Sequence, residues 1–355
     1  MSRPRIVVVG AGIYGVTIAA RLSPKYDVDL VEELPDILLA ASGVNQFRLH
    51  RGYHYPRSAK TIASSLESEK LFRNEYEGAI LKNIKHFYCI AKEGSFISAE
   101  KYLQVCDENN LEYKVVKPPK YLNASQIDVC IQVQEGTIDP HALYELAWER
   151  LKRQGVNVLL NTRATPAMLK KYDAVVICTY ANLNQLVPQS SGVRQEYQYE
   201  LCEKIVLSFD HNIYDRQSVV IMDGPFTCLD PYGSTGNFLM GNVVHALHHT
   251  NVGSKPVIPQ RYHYFMNAGL IKNPNETNFE KFIESASVFF SGMHDAQHVG
   301  SLYTVRAVLP NKEKTDERPM IVKKVAHNII STFAGKLSNC MEASLEAEKF
   351  LTHLF

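Results

Sequence analysis

The chain lacks an excess of charge of either sign, a cysteine cluster and a long apolar run. Its 355 residues include 38 basic and 37 acidic side chains, which gives a formal net charge of +1. This balance implies no strong attraction to nucleic acid or to membranes. The cysteines are scattered without Cys-x-x-Cys spacing, so zinc and redox-pair sites lack support. We therefore expect reduced thiols, no metal, no membrane span, no signal peptide and a cytoplasmic location.

A histidine-rich segment at residues 241–249 gives only weak support for a metal site. His245 and His249 would share one face of a helix. The residues before them are typical of a strand, however, and no Glu-x-x-His partner is present. We expect these histidines to line a substrate cleft or to pack between two lobes.

The chain does contain a glycine-rich turn in a specific context. Gly10, Gly12 and Gly15 form Gly-x-Gly-x-x-Gly directly after the β-branched residues 6–9 and before the small apolar residues 16–20. Strand, tight turn and helix in this order indicate a dinucleotide-binding unit. Gly10 permits the sharp turn, Gly12 lets the backbone approach a pyrophosphate, and Gly15 lets the helix pack on the strand.

The next strand supports the same interpretation. Residues 28–31 are mostly apolar and end at Glu32, where an acidic side chain can bind a ribose hydroxyl. We include the neighbouring Glu33 in the cofactor site. Ile13 and Tyr14 lie at the helix N-terminus, where backbone N–H groups and the helix dipole attract phosphate.

Residues 34–58 are typical of a loop that wraps a ligand, because small residues are followed by polar, then aromatic and basic ones. Three features resemble the flavoprotein superfamily of D-amino acid oxidase, glycine oxidase and sarcosine oxidase. They are the glycine-rich turn, Glu32 and the segment Ala-Ser-Gly-x-Asn at 41–45. Residues 50–56, His-Arg-Gly-Tyr-His-Tyr-Pro, are similar to a segment of L-2-hydroxyglutarate dehydrogenases. The resemblance implies that the cofactor is FAD.

The same resemblance implies roles for residues of this loop. Ser42 is expected at the pyrophosphate, and Asn45, Gln46, Arg48 and His50 near the isoalloxazine ring. Some relatives attach the flavin covalently through a histidine in this region, but we favour non-covalent binding. The candidate catalytic residues from this loop are Arg48, His50 and Tyr53.

Two later segments are expected to return to the cofactor. Residues 136–140 resemble the Gly-x-x-Asp-Pro segment of the superfamily, with Asp139 as a cap for the helix that follows. Thr179 follows a buried strand and is expected near the adenosine half of FAD. Tyr180 stands where the family pattern has glycine.

The C-terminal quarter supplies the remaining candidates. Arg306 aligns with the arginine that grips the substrate carboxylate in glycine and D-amino acid oxidases, and guanidinium suits that task. A structural ion pair is the alternative for this residue. Gly335, Lys336 and Leu337 form the turn before the last helix, which faces the pyrimidine edge of flavin in the superfamily. Lys336 is also a candidate catalytic cation.

We expect an α/β fold with a FAD-binding Rossmann-like lobe of the glutathione-reductase type and a second, mostly antiparallel β lobe for substrate. The FAD lobe is expected to be discontinuous and to contain residues 1–80, 134–190 and 301–355. The substrate lobe is expected to contain residues 81–133 and 191–300.

The expected function is FAD-dependent oxidation of a small amino acid or 2-hydroxy acid, at a carbon next to the carboxylate, by hydride transfer to flavin N5. The electron acceptor is left open between oxygen and another oxidant. One alternative is a sugar-nucleotide mutase without net redox. Another is a flavoenzyme for a large substrate, such as a nucleic acid base, a glycan or a carrier-bound amino acid, although the net charge gives nucleic acid no support.

Overall fold

The computed structural model describes residues 3–211, 214–311 and 318–355. Its strands are β1 (Arg5–Val9), β2 (Asp27–Val31), β3 (Arg48–Leu49), β4 (Lys85–Ala91), β5 (Tyr113–Val116), β6 (Ile127–Val133), β7 (Gly136–Thr137), β8 (Asn157–Leu159), β9 (Ala174–Ile177), β10 (Tyr197–Ser208), β11 (Gln217–Met222), β12 (Thr227–Pro231), β13 (Phe238–Asn242), β14 (Leu247–Gly253), β15 (Gln297–Val308), β16 (Met320–Ala326) and β17 (Ile329–Ala334). Its α-helices are α1 (Ile13–Leu22), α2 (Ala59–Tyr76), α3 (Ala99–Glu108), α4 (Pro140–Arg153), α5 (Pro166–Leu169), α6 (Leu183–Leu186), α7 (Phe279–Ser287) and α8 (Cys340–Leu354).

The first sheet has six strands in the order β16-β17-β9-β1-β2-β8. Strands β17, β9, β1, β2 and β8 are parallel, and β16 is antiparallel to β17. The central strand β1 is buried from Ile6 to Val9, as its continuous β-branched sequence predicts for a parallel sheet covered on both faces. Helices α1 and α8 pack together beside this sheet and share its core.

The second sheet has nine strands. Eight of them follow the order β14-β10-β13-β12-β11-β4-β6-β5, and β15 pairs with β10. The described pairs are antiparallel except β4 with β11. A mixed α/β fold with one parallel and one mostly antiparallel lobe was expected, and this expectation is confirmed.

One segment lies in a different sheet from the one expected. Residues 301–308 were assigned to the FAD lobe, but they belong to β15, which pairs with β10 along most of its length in the second sheet. Only β16 and β17 return to the first sheet. Arg306 is therefore carried by the second lobe. The other lobe boundaries stay a prediction.

A two-stranded sheet places the N-terminal loop against the second lobe. Strand β3 pairs with β7 so that Arg48 is opposite Thr137 and Leu49 is opposite Gly136. This pairing brings Glu135, just before β7, beside Arg48. Helix α4 then begins with Asp139 as its cap, whose carboxylate accepts hydrogen bonds from the N–H groups of His141 and Ala142.

The two sheets pack against each other through apolar residues. Val206, Leu239 and Leu302 of the second sheet lie in the same buried cluster as β1 and α1. The opposite face of that sheet is covered by α7, which buries Phe282 and Ile283. Within the described ranges, a search for a helix with the length and apolarity of a membrane span gives no result.

Candidate active site

The turn between β1 and α1 requires glycine at two positions. Gly10 has φ +97°, and a Cβ on it would lie 2.8 Å from the carbonyl oxygen of Cys178. A Cβ on Gly15 would lie 1.8 Å from the carbonyl oxygen of Gly10. This close packing brings the N-terminus of α1, with its partial positive charge, to the end of β1.

The predicted dinucleotide residues meet around this helix N-terminus. Gly12 precedes α1, and the N–H of Ile13 donates to Ser42 Oγ at 2.9 Å. The Glu32 carboxylate accepts from the N–H groups of Ala11 at 2.6 Å and Leu34 at 3.0 Å. Burial raises the pKa of Glu32 despite these bonds. Glu32 is therefore held at the end of β2, beside the glycine turn.

Glu33 points in a different direction from Glu32. Its side chain is exposed and accepts a hydrogen bond from Asn182 at 3.4 Å. Its carboxylate also lies 3.9 Å from Arg163 Nε. A role for Glu33 in cofactor binding stays a prediction.

The end of β9 explains a departure from the family pattern. Tyr180 has φ +47°, in the left-handed region where glycine is favoured. Its ring stacks on Phe333, and its hydroxyl lies 2.9 Å from the carbonyl oxygen of Ala307. The neighbouring Thr179 Oγ1 is buried and has no hydrogen-bond partner among the described residues. These contacts let tyrosine occupy a position that would otherwise suit glycine, and they leave Thr179 Oγ1 for a ligand.

The C-terminal turn reaches the same region. The Tyr14 hydroxyl donates to the carbonyl oxygen of Lys336 at 2.6 Å, which connects α1 to the residues after β17. Gly335 lies under Arg318, since a Cβ there would be 2.9 Å from Arg318 Cδ. Leu337 begins a short 3-10 helix that leads into α8. Residues that are more than 300 positions apart thus form one site.

The Lys336 ammonium is buried in a group of hydroxyls on α2. Its Nζ lies 2.9 Å from Ser65 Oγ and 3.3 Å from Ser64 Oγ. The side chain is only 6% exposed. Burial lowers the pKa of Lys336 to about 8, and Glu342 opposes this shift.

The loop before β3 is shaped by its own amide side chains. Asn45 donates to the carbonyl oxygens of Ala41 and Ser42 and accepts from the N–H of Phe47. Gln46 donates through Nε2 to Asp230 at 2.7 Å, which leaves its buried Oε1 without a partner in the described chain. Asn45 therefore fixes the loop, and Gln46 presents an acceptor.

Arg48 is the centre of a buried charge network. Its Nη2 lies 2.7 Å from Asp230, and its Nη1 lies 3.4 Å from Glu135. Tyr88 donates to the same Glu135 carboxylate at 2.6 Å. Burial would raise the pKa of Glu135, but His50 and Arg48 lower it well below its usual value. Arg48 thus pairs with two carboxylates, and its charge helps to keep Glu135 ionised.

Two histidines lie directly beside this network. His50 Nδ1 is 3.5 Å from Glu135, and the His50 ring stacks on His54 with centroids 5.1 Å apart. Burial, followed by the charges of His50 and Arg48, lowers the pKa of His54 well below its usual value. His54 Nδ1 is buried and lacks a hydrogen-bond partner among the described residues. His54 is therefore a neutral imidazole with an acceptor available.

Tyr53 and Arg306 have protein partners already. The Tyr53 hydroxyl donates to the carbonyl oxygen of Glu112 at 2.5 Å, and its ring packs near Tyr88. Arg306 places Nε 2.6 Å and Nη2 2.5 Å from Glu200 Oε2, with its side chain 48% exposed. The ion pair considered from the sequence is present, and catalytic roles for both residues stay predictions.

Sequence reasoning missed several residues of this site. Glu135, Asp230 and His54 complete the network, and Arg318 covers Gly335 and acts electrostatically on His54. One of these residues, His54, could have been found from the sequence, because it forms the motif His-x-x-x-His with His50. The others come from distant strands whose pairing the sequence pattern does not specify.

A metal site has no geometric support in the residues that the structure describes. No group of three or more histidine, cysteine, aspartate or glutamate side chains is arranged to hold an ion there. His245 lies in a turn and His249 in β14, so the shared helical face considered above does not exist.

The chain combines a two-lobe fold, a glycine-rich βαβ unit and polar groups that converge between the lobes. These features together indicate a dinucleotide-dependent oxidoreductase. Residues 5–270 match the family model described as FAD dependent oxidoreductase (DAO), which is three quarters of the chain. The chain belongs to this family, FAD is its cofactor, and the resemblance read from the sequence is confirmed.

Curated relatives are more distant. The FAD-dependent monooxygenase FPY4 of Fusarium mangiferae is 24% identical over 245 residues, 67% of this chain and 63% of that protein. The FAD-dependent monooxygenase kojA of Aspergillus flavus is 26% identical over 248 residues, 64% of this chain and 58% of that protein. The chain spans about 60% of the length of these relatives.

Solved structures share the fold over nearly the whole chain. Glycine oxidase from Geobacillus kaustophilus has a TM-score of 0.72 at 12% identity, covering 99% of this chain and 94% of its own. L-alpha-glycerophosphate oxidase from Mycoplasma pneumoniae, solved with FAD bound, has a TM-score of 0.72 at 16% identity, covering 99% and 95%.

The residues present fit FAD. The Gly10 turn leaves no room for a Cβ, and Ser42 and Glu32 lie beside the N-terminus of α1. Thr179 Oγ1, which has no hydrogen-bond partner among the described residues, lies next to the Gly10 turn. The buried Lys336 is joined to α1 through Tyr14. These are groups that a phosphate, a ribose and an electron-accepting ring require.

Proposed function

We propose that the chain oxidises a small amino acid or 2-hydroxy acid at the carbon next to its carboxylate. FAD, when bound, supplies the chemistry of hydride acceptance at N5. The observation that carries the proposal is the neutral His54, which lies within the charge network of Arg48 and Glu135 with a buried acceptor atom unused. An alcohol must lose a proton from oxygen, and a substrate ammonium must lose one from nitrogen, before or during hydride transfer, and a neutral imidazole accepts that proton.

Arg306 is the proposed partner of the substrate carboxylate. Its guanidinium uses Nε and Nη2 for Glu200, and the remaining N–H groups are left for a second carboxylate. Glu200 is buried and holds the guanidinium in one orientation. In this proposal the ion pair orients Arg306 toward the substrate carboxylate, and Glu200 presents an acceptor to a substrate amine.

Proton removal is assigned to His54. A neutral imidazole accepts a proton within hydrogen-bond reach, and this contribution is typically about 10²–10⁴-fold in rate. His50 stacks on His54 and lies next to Glu135. We assign His50 and Arg48 to positioning, because both side chains are already engaged with the carboxylates.

Lys336 is proposed to stabilise negative charge that develops at the pyrimidine edge of the ring. A fixed cation in a water-poor site is effective because its field is weakly screened. The hydroxyls of Ser64 and Ser65 hold the ammonium in place. With a pKa of about 8, the ammonium is mostly charged at neutral pH.

The names of structural neighbours agree with this substrate class. Glycine oxidase, L-amino acid deaminase and L-proline dehydrogenase share the fold, and their names refer to amino acids. These enzymes are too distant in sequence to identify a substrate for this chain. They justify a panel in which amino acids are tested first.

The test is anaerobic mixing of the FAD-loaded protein with a panel of amino acids and 2-hydroxy acids, while flavin absorbance is followed. At least one acid should bleach the flavin. The Arg306→Met variant should require a higher concentration of that acid, and His54→Asn should slow bleaching at saturation. A panel without any bleaching would contradict the proposal.

A second candidate is monooxygenation, which the names of the fungal relatives favour. Under ¹⁸O₂, a monooxygenase would place labelled oxygen in its product, whereas an oxidase or dehydrogenase would not. A separate anaerobic assay with pre-reduced flavin addresses the sugar-nucleotide mutase, which would form isomerised product only under those conditions. Neither a glycan nor a nucleic acid substrate has support in the site described above.

A further inference from the structure

A polar cavity lies between helix α2 and the start of strand β4. Its volume is about 530 Å³, which is within the usual range of small-molecule sites. Helix α2 contributes Glu69 and Arg73, β4 contributes His86, Arg51 follows β3, and Glu135 precedes β7. Among the described residues, the lining includes none of those assigned above to FAD. The cavity is therefore separate from the glycine-rich turn, although it shares Glu135 with the charge network.

The two arginines of the cavity have more N–H donors than protein acceptors. Each guanidinium carries five N–H groups. Arg73 uses two at most, because its Nε and Nη2 lie 2.8 Å and 2.7 Å from Glu69 Oε1. Arg51 donates from Nη1 to the carbonyl oxygen of Gln134 at 3.2 Å, while its buried Nε has no hydrogen-bond partner in the described chain. Both side chains are partly exposed, so a ligand reaches them from solvent.

The two carboxylates of the cavity do not supply the missing acceptors. Glu135 is already contacted by Arg48, by the Tyr88 hydroxyl and by the backbone N–H of Arg51. Glu69 Oε2 lies 3.9 Å from Arg51 Nε, which is too long for a hydrogen bond. The cavity therefore has an excess of donors, and an oxyanion is the ligand that such a site binds.

His86 adds a buried polar group to the cavity wall. Its side chain is only 2% exposed, and its Nδ1 has no hydrogen-bond partner among the residues that the structure describes. Burial lowers the pKa of His86 to about 4, so the imidazole is neutral near pH 7 and carries one N–H. Because buried polar atoms nearly always have partners, this atom is a candidate for contact with a ligand.

We propose that this cavity binds the phosphate group of a small phosphate monoester. A single guanidinium is enough for a carboxylate, whereas the three terminal oxygens of a phosphate accept from two guanidiniums at once. Arg51 and Arg73 come from different elements and supply both, and His86 donates to the remaining oxygen. Ile80 and Ile84 line another part of the cavity and contact the organic group. The proposal does not depend on which compound the flavin oxidises.

Calorimetric titration of the FAD-loaded protein tests the site without turnover. The probes are phenyl phosphate, inorganic phosphate and acetate. Bound FAD occupies the glycine-rich turn, so phosphate binding at the N-terminus of α1 does not contribute. Phenyl phosphate should bind at least about tenfold more tightly than acetate, because two guanidiniums contact it. It should also bind more tightly than inorganic phosphate, because the apolar side chains of the cavity contact the ring.

Five variants locate the binding. Arg51→Met and Arg73→Met should each weaken phenyl phosphate binding by at least about tenfold, and His86→Phe by about threefold. Glu69→Gln should instead tighten binding, because it removes the negative charge that competes for both guanidiniums. Arg153→Met, on the exposed side of α4, is the control and should behave as wild type. Thermal unfolding of each variant separates loss of the site from loss of the fold.

Three outcomes would overturn the proposal. Acetate would bind wild type as tightly as phenyl phosphate, or both arginine variants would keep the wild-type affinity, or Glu69→Gln would weaken binding. Tighter binding of inorganic phosphate than of phenyl phosphate would overturn the assignment to an ester. Bleaching of flavin by oxidisable acids is measured separately, so failure of this site and failure of the proposed oxidation are distinguishable.

Discussion

The two faces of strand β10 carry polar networks of similar composition and different completeness. On the face covered by α7, the carboxylate of Glu203 is fully buried and accepts hydrogen bonds from every side. The donors are the hydroxyls of Thr277, Ser301 and Tyr303, the N–H of Asn278, and His248 Nε2 at 2.8 Å. Tyr262 completes the network through a 2.9 Å hydrogen bond to His248 Nδ1.

On the face toward the FAD lobe, acidic, histidine and tyrosine side chains also cluster, but acceptors are left over. Gln46 Oε1 and His54 Nδ1 are buried without partners among the described residues. Within the described ranges, Lys204 forms no ion pair with a carboxylate. Because buried polar groups are nearly always hydrogen-bonded, such atoms are candidates for contact with a ligand.

Within one sheet, the closed network of Glu203 contributes to stability, and the open network on the other face is the candidate for ligand binding. A closed network such as that of Glu203 rigidifies the fold and has no capacity for a ligand. An open network is less stable on its own and becomes complete when cofactor and substrate bind. Substitutions on the two faces should therefore affect different measurements.

The largest effect is expected from Glu203→Ala. Burial would raise the pKa of Glu203, but hydrogen bonds from His248 and its other donors lower it, so the carboxylate is ionised and fully used. Its loss leaves four donors without an acceptor, because the Tyr303 hydroxyl also donates to the carbonyl oxygen of Glu276. We expect the free energy of unfolding to fall by about 3–5 kcal/mol. Urea unfolding measures the change, and Glu149→Ala on the exposed side of α4 is the matched control. A loss below that of the control would show that this network is not structural.

The second prediction concerns the open face. His54→Asn should slow flavin reduction by about 10²-fold, the lower end of general-base contributions, with little change in unfolding. Because burial lowers the pKa of His54, its neutral form persists below the usual histidine pKa. The wild-type rate should therefore show no loss from His54 as the pH falls toward about 6.5. Stopped-flow bleaching measures the rate, and the exposed His294→Asn is the control. An unchanged rate in His54→Asn would remove it from the mechanism.

The third prediction uses the pH dependence of Lys336. Its pKa is about 8 in the folded protein against an ordinary value of 10.5, so the unfolded chain binds the proton more tightly between these values. The contribution of Lys336 to the free energy of unfolding therefore rises as the pH increases from about 8 to 10.5. Below pH 8 the full cost of burying the charged ammonium applies. Lys336→Met should stabilise the apoprotein near pH 7 by about 1–3 kcal/mol and remove the rise toward high pH.

Urea unfolding of the apoprotein at several pH values tests this prediction. Lys349→Met, an exposed lysine on α8, is the control and should keep the rise. With FAD bound, Lys336→Met should instead slow flavin reduction, because the cation that we propose to stabilise the reduced ring is lost. If Lys336→Met has the unfolding free energy and the flavin-reduction rate of wild type, the buried ammonium neither destabilises the apoprotein nor assists flavin reduction.

The local parts of this site could be predicted from sequence, and the long-range parts could not. Gly10, Gly15 and Glu32 are constrained by a turn and a strand that lie within one βαβ unit, so their spacing alone defines them. Arg48 and Asp230 meet across 182 positions, and that contact depends on how β3, β7 and β12 pair. The spacing of residues along the sequence does not predict a contact of this kind.

The sequence pattern also did not predict the conformation of Tyr180 or the lobe that carries Arg306. Tyr180 departs from the family glycine, yet it adopts the left-handed conformation because Phe333 and the backbone of Ala307 support its side chain. Arg306 was placed by alignment with one lobe, and the pairing of β15 with β10 puts it in the other. In both cases the deciding contacts come from strands that are distant in sequence.

The smallest effect is expected from Tyr262→Phe, at the edge of the closed network. The variant removes one hydroxyl that donates to His248 Nδ1 and keeps the ring that packs near His248. We expect a loss of about 1 kcal/mol in unfolding free energy and no change in flavin reduction, because the network faces away from the FAD lobe. Urea unfolding and anaerobic bleaching are compared on the same samples. A slower flavin reaction without loss of stability would mean that the two faces of β10 are coupled, and that the closed network also serves the chemistry.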